Sequence, residues 1–225
     1  MVYADGDAAS RAIDAPTHPM LPAAMSLAGP MQASRALSLP NLLTYGRLAA
    51  VPLVVSLLFW PDETALRWIA LALFIVAGVT DYLDGYLARA WGQQSALGRM
   101  LDPIADKLLV SACLLMLVAD KTIQSWSLWA AIVILCREIL VSGLREFLAE
   151  LRVSVPVSTV AKWKTGMQLV AIGFLIAGRA GDAIIPYTSR IGLGLLWIAA
   201  ILTLYTGWDY LKTGVRHLVD EGRDA

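Results

Sequence analysis

The sequence contains few charged residues for its length. Only 16% of its 225 residues are charged and 58% are apolar, whereas an ordinary soluble domain has about 25% charged and about 45–50% apolar residues. This composition excludes a soluble enzyme built around one central core. The 18 basic and 18 acidic residues also cancel, so no net charge attracts nucleic acid, and we expect no nucleic-acid partner.

Cysteine and histidine are nearly absent. The two cysteines, Cys113 and Cys136, both lie inside apolar runs without paired spacing, which predicts two small core residues rather than a disulfide framework. The two histidines, His18 and His217, lie near the ends of the chain. A zinc site built from His and Cys ligands is therefore not expected.

What the sequence does contain is a series of apolar stretches separated by short polar breaks. A membrane-spanning helix needs about 20 such residues. We predict an all-α polytopic membrane protein with six spans, at about 41–60, 66–88, 104–119, 125–147, 163–178 and 190–211. The spans form one domain over residues 41–211, between a flexible proline-rich tail over residues 1–40 and a cytoplasmic tail over residues 212–225.

The placement of Lys and Arg predicts the orientation of these spans. If the N-terminus is inside, only four of the 18 basic residues fall outside, namely Arg67, Lys121, Arg179 and Arg190, which leaves 14 on the cytoplasmic side. Cytoplasmic loops carry the excess of Lys and Arg. We therefore expect a protein of the cell inner membrane with both termini in the cytoplasm.

Two aspartates lie one helical turn apart at the cytoplasmic end of the second span. Asp81 and Asp84 share a helix face with Gly85 and Ala88, and these small residues leave room for a ligand to approach the helix. Ionisable groups inside a span are energetically costly and usually mark a functional site.

Two more aspartates occur where the third span begins. The pair Asp102-Pro103 is typical of a helix start, with an N-cap acceptor followed by proline in the first turn. Asp106 lies one turn deeper on the face of Asp102, where a cap is not needed. We expect a loop of about 14 residues to join this helix to the preceding one.

Together these four residues form what we call the aspartate cluster: Asp81, Asp84, Asp102 and Asp106. Four carboxylates on two neighbouring helices repel each other unless counter-charges are present. Two divalent cations would neutralise them, and oxygen ligands suit Mg²⁺ or Mn²⁺. Sites with two metal ions typically serve phosphoryl transfer, whereas a divalent-cation transporter, the alternative, would distribute its carboxylates across the depth of the membrane.

The spacing of these residues resembles the signature of the CDP-alcohol phosphatidyltransferase family. The matching positions are Asp81-x2-Asp84-Gly85-x2-Ala88-Arg89-x8-Gly98-x3-Asp102-x3-Asp106. The similarity extends over most of residues 40–211. The resemblance implies six transmembrane helices, a homodimer, and a reaction at the cytoplasmic side in which a hydroxyl group displaces CMP from a CDP-linked lipid or alcohol.

The resemblance also implies roles for individual residues. It makes the aspartate cluster the ligand set of two divalent ions and Asp106 the general base that acts on the acceptor hydroxyl. It places the cytidine diphosphate against Thr44 in the first span and against Gly85 and Arg89 in the second.

A second group of basic residues predicts the acceptor. It comprises Arg137 and Arg145, which can share a helix face, and Lys162 and Lys164 at the start of the fifth span. Arg and Lys at such a place can bind a phosphate monoester, although Arg–Glu pairing and the excess of cytoplasmic positive charge would also explain them.

The segments around these four residues resemble the branch of the family that uses CDP-diacylglycerol as donor and sn-glycerol 3-phosphate as acceptor. That resemblance implies phosphatidylglycerol phosphate and CMP as products. Two alternative acceptors stay open, namely phosphatidylglycerol, as in a cardiolipin synthase of the CDP-alcohol type, and an inositol phosphate.

Overall fold

The chain folds into a bundle of helices. The computed structural model describes residues 39–91, 96–150 and 159–224, and nearly all of the predicted tail over residues 1–40 lies outside these ranges. The helices are α1 Leu39–Leu58, α2 Thr64–Trp91, α3 Ala96–Ala119, α4 Ser127–Glu150, α5 Thr159–Asp182 and α6 Thr188–Asp224. The described ranges contain no strand, so the all-α prediction is confirmed.

Four of these helices are long and apolar enough to cross a membrane. Their qualifying segments are Asn41–Leu58, Thr64–Asp81, Ser127–Ala149 and Thr188–Lys212, in α1, α2, α4 and α6. Helix α3 carries Asp102, Asp106 and Lys107 in its first half, and α5 carries lysines in its first turns. The predicted count of six spans is compatible with this result.

The start of α3 corrects the sequence-based interpretation. The helix begins at Ala96, so Asp102 lies inside it rather than at an N-cap, and Pro103 is an interior proline. An interior proline removes one backbone hydrogen bond, but the helix gains the burial of apolar residues such as Leu109 and Leu114 further along. The predicted 14-residue loop is also wrong, because α2 continues to Trp91.

The last helix extends beyond the predicted end of the domain. Helix α6 runs through residues 212–224, the segment that the sequence suggested was a tail. It packs most extensively against α5, and it also packs against α4. The C-terminal segment is therefore a helical extension of the bundle.

Helix α3 contributes fully buried residues to the core. Cys113, Leu114 and Leu117 have almost no exposed surface. On the outside of the bundle large apolar side chains are exposed, including Phe59 at 68% and Ile139 at 71%. A water-soluble surface rarely exposes large contiguous apolar patches, so this surface fits contact with lipid.

The two cysteines lie in different environments. Both are free thiols, but Cys113 is buried in the core whereas Cys136 is exposed on α4. The absence of a disulfide between them was predicted correctly. The prediction of a core position was wrong for Cys136, because a free thiol is apolar enough to face lipid as readily as a core.

A buried arginine connects three helices at the end of the bundle opposite to the aspartate cluster. The Arg67 side chain is 3% exposed, and its Nη1 lies 2.8 Å from Asp120 Oδ2. Its Nε and Nη2 donate to the backbone carbonyls of Ile176 and Leu175, at 2.9 and 3.0 Å. These carbonyls are free to accept because α5 is kinked at Gly178, which has a φ of 44°.

Glycine is required at this kink. A Cβ atom at Gly178 would lie 2.5 Å from Nη2 of Arg67, and positive φ is unfavourable for other residues. We call Arg67, Asp120 and Gly178 the Arg67 clamp. Sequence analysis placed Arg67 among the outer charges and did not predict its burial.

Candidate active site

Helix α1 presents a buried polar face to the aspartate cluster. Thr44 and Arg47 are each only 2% exposed and lie about one turn apart on α1. The Thr44 hydroxyl donates to Asp102 Oδ1 at 2.5 Å, and Arg47 forms a salt bridge with Asp81. One helix thus contacts an aspartate of α2 and an aspartate of α3.

The described aspartates are close enough to influence each other. Asp81 interacts electrostatically with Arg47 and with Asp102, and Asp106 interacts with Asp81. All three aspartate side chains are partly buried. The structure therefore brings these three members of the cluster into one region, as the sequence predicted.

Other predicted residues fall outside what the structure describes. The side chains of Asp84 and Arg89 and the surroundings of Gly85 on α2 lie outside the described part, as does the side chain of Lys162 on α5. Among the side chains that are described, no three His, Cys, Asp or Glu residues are close enough to hold a metal ion. The donor chemistry is nevertheless all oxygen, which suits a hard divalent cation.

A second buried cluster contains two of the predicted basic residues. Glu138 Oε1 forms a salt bridge with Lys164 and lies 3.3 Å from Arg137 Nη1. Arg137 Nη2 donates to Thr206 Oγ1 of α6 at 2.9 Å. We call Arg137, Glu138, Lys164 and Thr206 the Arg137 cluster.

The arginine is fitted closely to the last helix. A Cβ atom at Gly207 would lie 3.1 Å from Cγ of Arg137, so glycine there lets the arginine stem pass against α6. Arg145, two turns further along α4, is exposed. The structure therefore brings Arg137 and Lys164 together, while Arg145 lies at the surface.

The two clusters are adjacent. The charge of Glu138 acts on Asp106, and the charge of Asp106 acts on Lys164. The predicted general base thus lies near Glu138 and Lys164 of the Arg137 cluster. Such an arrangement can hold an anionic alcohol with its hydroxyl near a carboxylate and its phosphate near basic groups.

Sequence reasoning missed two residues of this site. Arg47 is the partner of Asp81. The sequence feature that could have indicated its role is its position about one helical turn after Thr44 in an otherwise apolar span. Glu138 was interpreted only as a neighbour that could pair with Arg137. Its contact with Lys164 joins residues 26 apart in sequence, and no local pattern encodes that contact.

An apolar groove of about 670 Å³ runs between α2 and α5. It is wide because glycines line it, including Gly78 on α2 and Gly166 and Gly173 on α5. One end of the groove reaches Val79 and Gly166, each two residues from a charged group of the site, Asp81 and Lys164 respectively. The groove therefore extends toward the end of α2 and α5 at which the polar clusters lie.

Known proteins resemble this chain over most of its length. The family model described as CDP-alcohol phosphatidyltransferase matches residues 37–205. A protein of Rickettsia bellii named CDP-diacylglycerol–glycerol-3-phosphate 3-phosphatidyltransferase is 46% identical over 175 residues, which are 78% of this chain and 94% of that protein. Proteins of the same name from Cereibacter sphaeroides and Haemophilus influenzae are each 40% identical, over 82% and 81% of this chain and 98% and 96% of their own lengths.

The family match includes the whole aspartate motif and the polar face of α1, and it extends into α6. The chain belongs to the CDP-alcohol phosphatidyltransferase family.

Proposed function

We propose that this protein transfers the phosphatidyl group of CDP-diacylglycerol to sn-glycerol 3-phosphate, releasing CMP and forming phosphatidylglycerol phosphate. The observation that carries the proposal is that the Arg137 cluster lies near Asp106, which interacts electrostatically with both Glu138 and Lys164. The names of the three relatives, which share 40–46% of their aligned residues with this chain, support the same reaction.

The aspartate cluster is proposed to bind two divalent cations, Mg²⁺ or Mn²⁺. Asp81, Asp84, Asp102 and Asp106 would hold them. When bound, such ions stabilise the charge that develops on the diphosphate as CMP leaves. Thr44 and Arg47 orient Asp102 and Asp81 from α1 through the contacts described above.

Asp106 is proposed to act as the general base. It accepts the proton of the acceptor hydroxyl as that oxygen attacks the phosphorus attached to diacylglycerol. A new P–O bond forms to the acceptor, and the P–O bond to CMP breaks. Thr44, Gly85 and Arg89 are proposed to bind the cytidine diphosphate.

The acceptor phosphate is proposed to bind Arg137 and Lys164. Both side chains are nearly buried, at 10% and 5% exposure, and charge interactions are stronger where water is excluded. Arg145 and Lys162 are proposed to add positive charge at the entrance of the same site.

The groove between α2 and α5 is proposed to hold an acyl chain of the lipid substrate. Its lining is apolar and extends along α2 as far as Val79, two residues before Asp81, and we propose that the phosphate groups of the same molecule lie at this end of the helix. We further propose that the protein works as a homodimer in the cell inner membrane, with the site and both termini on the cytoplasmic side.

A panel of acceptors tests this function. The purified protein is given CDP-diacylglycerol with sn-glycerol 3-phosphate, phosphatidylglycerol or inositol phosphate, each with and without Mg²⁺, and CMP release is measured. We expect release only with sn-glycerol 3-phosphate and only with Mg²⁺. Asp106→Asn should abolish release without unfolding the protein, whereas Asp62→Asn, at an exposed position, should retain it. Consumption of phosphatidylglycerol alone would contradict the proposed acceptor.

A further inference from the structure

Two basic side chains meet inside the helix bundle at the Arg137 cluster. The side chains of Arg137 and Lys164 are almost buried, and their positive charges act on each other. Repulsion between like charges is strong where water is excluded. A site that binds a phosphate through both cations must therefore hold Arg137 and Lys164 close together before the phosphate binds.

Glu138 meets this requirement with a single oxygen atom. Its Oε1 contacts Lys164 Nζ on α5 and Arg137 Nη1 on α4. The carboxylate offsets their repulsion and links two helices. It also leaves the remaining protons of the lysine ammonium available to another acceptor, because an ammonium group has three donors.

The guanidinium of Arg137 is fixed on its other side by α6. Nη2 donates to Thr206, whose own hydroxyl donates to the carbonyl of Leu202 at 2.9 Å. The third nitrogen, Nε, is buried, and it finds no acceptor among the residues that the structure describes. Buried donors are normally paired, so this nitrogen indicates a contact that a ligand completes.

We propose that Glu138 is a positioning residue for the acceptor phosphate. It holds Arg137 and Lys164 in one arrangement, in which Arg137 Nε and the remaining lysine protons bind the phosphate oxygens. This inference rests on the proposed function, since it concerns the acceptor of that reaction. In this role Glu138 acts through Arg137 and Lys164, which its carboxylate contacts, and not directly on the substrates.

The variant Glu138→Gln tests the proposal, because glutamine has nearly the same shape without the charge. We expect the KM for sn-glycerol 3-phosphate to rise about tenfold to a hundredfold, the size of one charge-assisted hydrogen bond. The KM for CDP-diacylglycerol should change less than about threefold, because the residues proposed to bind the donor are unchanged. The variant Glu138→Asp keeps the charge on a shorter side chain and should show a smaller rise.

The matched control is Glu146→Gln, which removes a carboxylate from an exposed position on the same helix and should leave both KM values unchanged. A lower KM for sn-glycerol 3-phosphate in Glu138→Gln would overturn the proposal, because it would mean that Glu138 only competes with the phosphate. Equal increases in both KM values would indicate a structural role only and would overturn the proposal as well. An unfolded Glu138→Gln together with a fully normal Glu138→Asp would lead to the same conclusion.

The outcome separates this inference from the function on which it rests. If the parent protein releases no CMP with sn-glycerol 3-phosphate, the proposed function fails and the inference fails with it. If the parent is active and the KM of Glu138→Gln for this acceptor is unchanged, only the inference fails.

Discussion

Arg47 and Arg67 are both 2% exposed, but their surroundings give them different roles. Arg67 pairs with Asp120, which is itself 3% exposed, and with backbone carbonyls, so protein groups surround its guanidinium. Arg47 pairs with Asp81, whose side chain is 42% exposed. A residue whose partner stays accessible can take part in a ligand site, whereas the Arg67 clamp serves stability.

Replacing Arg67 should therefore destabilise the bundle. Arg67→Leu leaves Asp120 as an unpaired buried charge, and breaking a buried pair in this way costs about 3–5 kcal/mol. We expect a clearly lower temperature or denaturant midpoint for unfolding of the purified protein in detergent.

Arg179→Leu provides the comparison for this substitution. Its pair with Asp62 is exposed, at 77% and 85%, and exposed pairs contribute about 0–1 kcal/mol. Similar losses of stability in the two variants would refute the structural role of the clamp.

At the scale of helices, the open space between α2 and α5 depends on their glycines. A Cβ atom at Gly166 would meet no other atom within 4 Å, so the space that a side chain would occupy there is open and forms part of the groove. A larger residue can fill this space without strain in the protein itself.

Gly166→Leu should shorten the part of the groove that an acyl chain can occupy. Each displaced methylene loses about 0.8 kcal/mol of burial, so we expect the kcat/KM for long-chain CDP-diacylglycerol to fall about tenfold or more, while that for a short-chain analogue changes little. Gly194→Leu adds the same bulk at an equally open position on α6, outside the groove, and should affect both lipids alike. The same chain-length preference in both glycine variants would argue against an acyl chain in the groove.

The helices show what the sequence could and could not predict. Apolar runs placed six helices correctly because burial in lipid or core dominates their energy. The start of α3 was misplaced because Asp102-Pro103 has the local pattern of a cap, and packing of the whole helix outweighed it. The error does not affect the relative position of Asp102 and Asp106. They lie one helical turn apart whether the helix begins at Ala96 or at Asp102.

At the scale of the whole molecule, the arrangement of the bundle depends on contacts between distant residues. Glu138 meets Lys164 across 26 positions, and Arg67 meets Ile176 across 109. Periodicity along the chain describes one helix at a time and contains no information about such pairs. For that reason the sequence suggested four basic residues for the acceptor phosphate, which stay a prediction, but it did not suggest the carboxylate that links Arg137 with Lys164.

The orientation in the membrane remains a prediction, and reporter fusions can test it. We expect a fluorescent protein fused to the C-terminus to fold in the cytoplasm, and alkaline phosphatase inserted after Lys121 to be active outside the membrane. The reason is that the predicted orientation places 14 of the 18 basic residues on the cytoplasmic side. Loss of both signals would contradict the proposed orientation, because it would place the C-terminus outside and Lys121 inside. Loss of only one signal would put both positions on the same side and would contradict the predicted number of spans.

The Arg67 clamp also has a consequence for the order in which the protein is made. Arg67 leaves the ribosome 53 residues before Asp120 and 108 residues before Leu175. A nascent chain that ends before α5 therefore holds an arginine that lacks two of its acceptors. The clamp closes only when α5 joins the bundle, so the buried contacts of Arg67 are complete only after synthesis has passed Gly178.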